Sequence, residues 1–367
     1  MKNRKIAWLI GLALVVIIIV IVTQASRPSD PELTKIGLVM PLSGELAAFG
    51  DNVLHGVEIA LAQSGLDSST VELVPEDTAG FTTSGALSAF RKVVEQDQVD
   101  VVIGPFGPAQ TLTIAPTLDP DSGPTVISAS NCDDRFQDYP TVFCIYPGLT
   151  DQVEHAIDFM KSQGWKKIYF FTENSEFGLL VEDILEEHSD EITLLGVEKI
   201  VPNQTKDIRT LVAKMIAAKP DVVYTMLSPT EGFITLRQYP ILSKGTPLYI
   251  SSDVNKDQLK DLFGEEAEEI YFAARLSEDY NPDFVRTFRE SYDADPDYFA
   301  ALGHSATTLL LDTLKENRFN MSDLIEDIIG ASSPDAAVDG FRFKPNRTVH
   351  VPLHSYEFKG GEFVEIK

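Results

Sequence analysis

A chain of 367 residues is long for one domain and comfortable for two, and 44% hydrophobic against 23% charged residues is globular rather than disordered composition. The net charge of −26 argues against nucleic acid and against anionic membrane surfaces as partners. Lys2, Arg4 and Lys5 are the only charges in the first 25 residues, so the rest of the chain carries −29.

Those three bases precede an uncharged run, Ile6 to Val22, made almost entirely of Leu, Ile, Val, Ala and Gly. A basic flank before such a run keeps the amino end inside and sends the following chain across the membrane. Seventeen residues is long for a signal-peptide core and slightly short for a spanning helix. Thr23-Gln24-Ala25 is a poor cleavage site, so residues 1–25 read as an anchor in preference to a removed signal, with 26–34 as a tether.

From Thr34 onward short apolar strands alternate with helical segments. Lys35–Met40 (KIGLVM) reads as a strand, Val53–Gln63 as a helix, Val71–Pro75 as a strand and Ser84–Gln96 as a helix. Next comes VDVVIGPFGPAQTL, residues 99–112, a β-branched strand broken by Gly104, Pro105, Gly107 and Pro108, with a helix restarting at Ala109. A helix start at the carboxyl end of a buried strand offers backbone N–H groups to a small anion. PTVIS (124–128) is a fourth strand. The pattern repeats with a helix over 151–163 and strands in KIYFFT (167–172), 191–201, DVVYTM (221–226) and PLYIS (247–251), separated by helices at 177–187, 208–218 and 232–239. Two successive strand–helix series predict two parallel sheets. After Phe272 the order changes to helices at 281–292, 299–315 and 321–330, and then to short antiparallel strands around Gly360-Gly361.

Cys132 and Cys144 lie twelve positions apart. In an exported chain such a pair reads as a disulfide, worth about 3 kcal/mol in the chain-entropy model, over two free thiols or a metal pair. His350 and His354 fall on one face of a predicted strand, with no third ligand in view, so no metal is assigned. Gly303-His304-Ser305-Ala306-Thr307 looks like a nucleophile elbow but ends in threonine and sits inside a helical pattern. There is no phosphate-binding loop and no dinucleotide fingerprint, so no cofactor, no catalytic residue and no enzymatic activity are assigned.

KIGLVMPLSGELAAFGDNVLHGVEIAL, VVIGPFGPAQTLTIAP with PTVISASN, KKIYFFTENSEFGLLVEDIL, PLYISSDVNKDQLKDLFGEEAEEIYFA, PDYFAALGHSATTLLLDTL and the tail GFRFKPNRTVHVPLHSYEFKGGEFVEI together resemble the branched-chain amino-acid-binding proteins of ABC transporters. The resemblance runs over nearly all of 34–367. It implies an α/β type I periplasmic-binding fold: two doubly wound parallel-sheet lobes with three hinge crossovers, behind one N-terminal hydrophobic helix. The crossings are expected near Pro147, Ala274 and Gly340, giving lobe one as 35–147 plus 275–339 and lobe two as 148–274 plus 340–367.

Carried over position by position, the resemblance puts ligand contacts at Phe49, Pro108, Ala109, Ser130, Asn131, Cys132, Phe177, Ser228, Thr230 and Asp253. Phe49 and Phe177 match the family's two aromatics, and Asp253 falls where an acid would meet an ammonium group. The family's carboxylate-binding serine pair falls on Gly107 and Pro108, and proline supplies neither hydroxyl nor N–H. The usual threonine of the next segment is Cys132. The expectation is an extracytoplasmic, membrane-anchored monomer that captures a small polar ligand, an amino acid or related compound, and delivers it to an ABC permease. A sensor using the same cleft is the alternative.

Overall fold

The computed structural model describes residues 33–44, 46–131, 134–201, 204–227, 237–251 and 268–366. The expected membrane segment lies outside these residues. Among the described residues no helix is long and apolar enough to cross a membrane.

The first sheet has five parallel strands in the order β2-β1-β3-β4-β5: β1 (Thr34–Met40), β2 (Val71–Asp77), β3 (Val101–Phe106), β4 (Thr125–Asn131) and β5 (Val142–Tyr146). Apart from the edge strand β2, its strands are buried on both sides because both faces are covered. Leu38, Ile103 and Ile127 point to one core, shared with α1 (Ala47–Gln63) and α8 (Tyr298–Glu316). Their neighbours Val39, Val102 and Val126 point to the other, under α2 (Thr83–Arg91) and α3 (Pro108–Ile114).

The second sheet has seven strands in the order β14-β13-β10-β9-β8-β6-β7. Its parallel part is β6 (Lys167–Glu173), β7 (Thr193–Ile200), β8 (Val222–Thr225), β9 (Leu248–Ile250) and β10 (Ile270–Ala274). The tail adds β13 (His354–Lys359) and β14 (Glu362–Ile366), both antiparallel, as the turn at Gly360-Gly361 requires. Here too the faces alternate. Ile168, Phe170 and Tyr224 pack against α4 (Leu149–Ser162) and α5 (Glu176–Glu187). Tyr169, Phe171 and Val223 share the opposite core with Val212 and Met215 of α6 (Arg209–Ala217).

After β10 the chain returns to the first core through α7 (Pro282–Tyr292), α8 and α9 (Leu324–Ile328). Gly340, near which the third crossing is expected, is followed by residues that still pack in that core: Phe341, Phe343, Val349 and Val351. Arg342–Phe343 (β11) and Val349–His350 (β12) form a separate ribbon, joined to the first lobe by the Pro147–Val349 bridge.

Three local readings need correction. The buried strand β5, VFCIY, was not anticipated. The first helix begins at Ala47, not Val53. His350 and His354 do not share a strand: His350 pairs with Arg342 in the ribbon, whereas His354 pairs with Ala274 in the second sheet, because the chain breaks at Pro352.

Candidate functional site

Ligands of open parallel sheets sit at the carboxyl ends of the strands. At that edge of the first sheet, rings from five separate segments meet. Phe49, on the first turn of α1, stacks on Phe106 of β3 with centroids 5.9 Å apart, and meets Phe299 of α8 edge-on at 4.8 Å. Phe106 lies 5.6 Å from both Phe299 and Phe81, a residue of the loop after β2. Tyr146 at the end of β5 closes the group, 5.4 Å from Phe299. Phe299 is buried, Phe49 and Phe106 are half-buried, and Phe81 is 49% exposed, so the aromatic surface runs from the core to solvent.

Phe49 and Phe299 meet because α1 and α8 cross closely at Gly56. A Cβ there would lie 2.1 Å from the Ala300 carbonyl oxygen, so only glycine permits the approach.

The start of α3 is poor in donors. Gly107 N–H is spent on Ala129 O at 3.2 Å, and Pro108, the first helical residue, has no N–H. Gly107 has φ of +96°, and a Cβ on it would lie 2.7 Å from the Phe81 ring. Glycine therefore lets Phe81 cover the place where the family's donors would stand. Ala109 is exposed and brings no polar side chain.

Ser130 is 2% exposed, and its hydroxyl is turned into the protein. It lies 2.8 Å from Ser128 Oγ, 3.5 Å from Thr111 Oγ1 and 3.6 Å from Cys144 Sγ. Thr111 in turn donates to Gly107 O at 2.8 Å. This chain of hydroxyls ties the end of β4 to the start of α3. Asn131 ends β4 opposite Tyr146. Cys132 lies outside the described residues, and no free cysteine is found among those described.

At the matching edge of the second sheet, Ser175 caps α5 by accepting from Gly178 N–H at 3.2 Å and donates to Glu173 Oε1 at 2.9 Å. Phe177 follows on the first turn, half-buried against the α4–α5 core. Ser228, Thr230 and Asp253 lie outside the described residues. Phe81, Phe106, Phe299 and Tyr146 were not singled out in the sequence. Phe106 stands directly before the expected Gly107-Pro108 position, which is the one signal that pointed to it.

Charges at the first edge are acidic. Asp77 ends β2; desolvation raises its pKa, but hydrogen bonds from Ser43, Ala79 N–H and Leu42 N–H outweigh that and hold it below the usual value. The Leu42 and Ala79 bonds measure 2.9 and 2.8 Å. Deeper in, Asp297 caps α8, accepting from Ala300 N–H at 3.0 Å and from Asn52 Nδ2 at 2.7 Å. Burial lifts its pKa to about 6. His304, buried in α8, accepts from Ala337 N–H at Nδ1 (3.2 Å) and donates from Nε2 to Gln63 Oε1 (2.8 Å). Burial depresses its pKa to about 3. Ser305 of the elbow-like motif is fully buried, donating to Ala301 O at 2.7 Å and accepting from Val338 N–H at 2.9 Å.

Comparison with known proteins agrees with this architecture. A family model described as periplasmic binding protein matches residues 34–362. The Leu/Ile/Val-binding protein BraC3 of Rhizobium johnstonii is 28% identical over 211 residues, 55% of this chain and 57% of that protein. The chain thus matches little more than half the length of this curated relative. Among solved structures, the branched-chain amino acid transporter substrate binding protein LivJ from Streptococcus pneumoniae, in complex with isoleucine, superposes with a TM-score of 0.77 at 20% identity, covering 91% of this chain and 99% of that one. An ABC-transporter solute binding protein from R. palustris, in complex with benzoate, gives 0.76 at 20% identity, covering 91% and 95%. At such identities the likeness shows the fold alone, and the two ligands differ chemically.

Proposed function

We propose, for a chain that belongs to the periplasmic binding protein family, that it captures a small organic solute outside the cytoplasmic membrane and hands it to an ABC permease. The observation that carries this reading is the Phe49–Phe106–Phe299 platform, assembled at the carboxyl ends of a parallel sheet from segments far apart in sequence. Nothing in the packing of the core demands the half-exposed Phe81 at its rim.

In this mechanism the solute settles on the first lobe, and hinge closure brings Phe177 and Asp253 over it. Pro108, Ala109, Asn131, Ser228 and Thr230 would supply backbone or side-chain contacts around it. The Ser130 hydroxyl, tied to Ser128, positions the β4 end instead of touching the solute. The hinge runs through 147–148, 275–281 and 352–353, where the chain passes between the two cores. Residues 1–25 would hold the protein to the membrane, and Cys132 would pair with Cys144 under oxidising conditions. A micromolar affinity, about 8 kcal/mol, is within reach of two aromatic walls and a few charge-assisted hydrogen bonds.

A thermal-shift screen of the purified chain against amino acids, amides, amines and small sugars tests the reading. A captured solute raises the melting temperature as its concentration exceeds Kd. No rise with any compound class counts against capture.

A further inference from the structure

Resting on that reading, we infer that the solute is an amine with an apolar, ring-sized body and no carboxylate, its body laid against Phe81, Phe106 and Phe49. The corner at Gly107 and Pro108 lacks the donors an anion would use there. Pro108 has no N–H, Gly107 N–H is bonded to Ala129 O, and the Phe81 ring covers Gly107. The helix behind them has seven residues, too short to focus much charge.

Nor does a basic side chain replace those donors. Among the described residues following the five strands of the first sheet (41–46, 78–82, 107–110, 134–141 and 147–148), Arg135 is the only Lys, Arg or His, and it is already partnered. What the edges do carry are the Asp77 carboxylate, kept ionised by Leu42 and Ala79 N–H groups, and Glu173 at the end of β6. An anionic head group would enter a field of its own sign, with neither an N–H at Gly107 or Pro108 nor an unpartnered basic side chain among those residues to offset desolvation. A cationic head meets the opposite. Aromatic faces attract ammonium groups, nearby carboxylates add to that attraction, and the rings bury an apolar body.

Three compounds sharing one apolar body separate the cases: phenethylamine, L-phenylalanine and 3-phenylpropionate, titrated calorimetrically into the full-length chain. Phenethylamine should bind at least tenfold more tightly than L-phenylalanine, and 3-phenylpropionate should give no heat. Ethylamine, a charge without a ring, should bind at least tenfold more weakly than phenethylamine. Phe81→Ala, at a half-exposed position, should weaken phenethylamine at least fivefold while the variant keeps a cooperative melting transition, and Phe106→Ala likewise.

Binding of L-phenylalanine or 3-phenylpropionate as tightly as the amine overturns the inference. So does ethylamine matching phenethylamine, or a Kd indifferent to Phe81→Ala and Phe106→Ala. If all three ring compounds are silent while another screened solute binds, the inference fails and capture stands. Silence across the whole screen overturns both.

Discussion

Arg275 reaches from the second passage between the lobes to the third. Its Nη1 donates to Pro352 O at 2.9 Å, and its Nη2 donates to Asp279 O at 3.0 Å. The side chain is buried, Tyr280 OH donates back to Arg275 O at 2.9 Å, and Tyr356 OH donates to Asp279 Oδ2 at 2.5 Å. Two segments that lead from one core to the other are therefore cross-tied by one planar cation, whose fork suits two carbonyls at once.

Replacing Arg275 by methionine keeps much of the volume but leaves both carbonyls without their donor. Urea denaturation should show a loss of about 3 kcal/mol, and Arg275→Lys should recover only part of it, because an ammonium cannot span both acceptors. A loss under about 0.5 kcal/mol would mean that the tie contributes little.

Gly56 sets the α1–α8 crossing and hence the meeting of Phe49 with Phe299. Since a methyl there would sit 2.1 Å from backbone oxygen, Gly56→Ala must push the helices apart. A destabilisation of about 3 kcal/mol, as for an overpacked core, is expected in the same assay. Near-neutral stability would show that the two helices slide freely.

His304 and Asp297 give opposing pH dependences. The folded pKa of His304, about 3, lies below its ordinary 6.5, so its contribution is complete above that value and is lost as the pH falls from 6.5 towards 3. The folded pKa of Asp297, about 6, lies above its ordinary 3.8, so the folded state holds the extra proton in that range. Stability from Asp297 is therefore greatest below pH 3.8 and declines as the pH rises to 6. The largest effects are roughly 5 and 3 kcal/mol respectively, from the 1.36 kcal/mol carried by each pKa unit. His304→Gln should flatten the acid limb of a stability–pH curve. Asp297→Asn, which can still cap α8, should gain stability at pH 7 relative to pH 4. Unchanged curves in both variants would contradict the burial of these groups.

The two-sheet plan was legible because short β-branched runs such as VDVVIG and DVVYTM, alternating with helical patterns, suit strands covered on both faces. The start of α1 was not. Leu46 precedes it with no side-chain cap, and Gly50 lies in the first turn, so no start signal stands before Val53. Strand β5 has no assignment from the sequence, since five residues of VFCIY, all buried, show no alternation to mark them. In the tail, Pro352 divides what looks like one strand into a ribbon and a sheet edge. At the site, the family positions fall on segments at the carboxyl ends of the strands, and the missing donors at Gly107 and Pro108 are visible in the sequence itself. The aromatic surface was not visible. Phe81 and Phe106 lie at loop and strand-end positions with no periodicity, and only the packing of α1 on α8 brings Phe49 and Phe299 to them.

Capture by closure of two lobes is tested most directly by small-angle X-ray scattering of the chain with and without the solute that gives the largest thermal shift. Hinge closure brings the lobes together, so the radius of gyration should fall on saturation, and Phe106→Ala should require more solute for the same fall. A bound protein whose radius of gyration equals that of the free protein would contradict capture by closure.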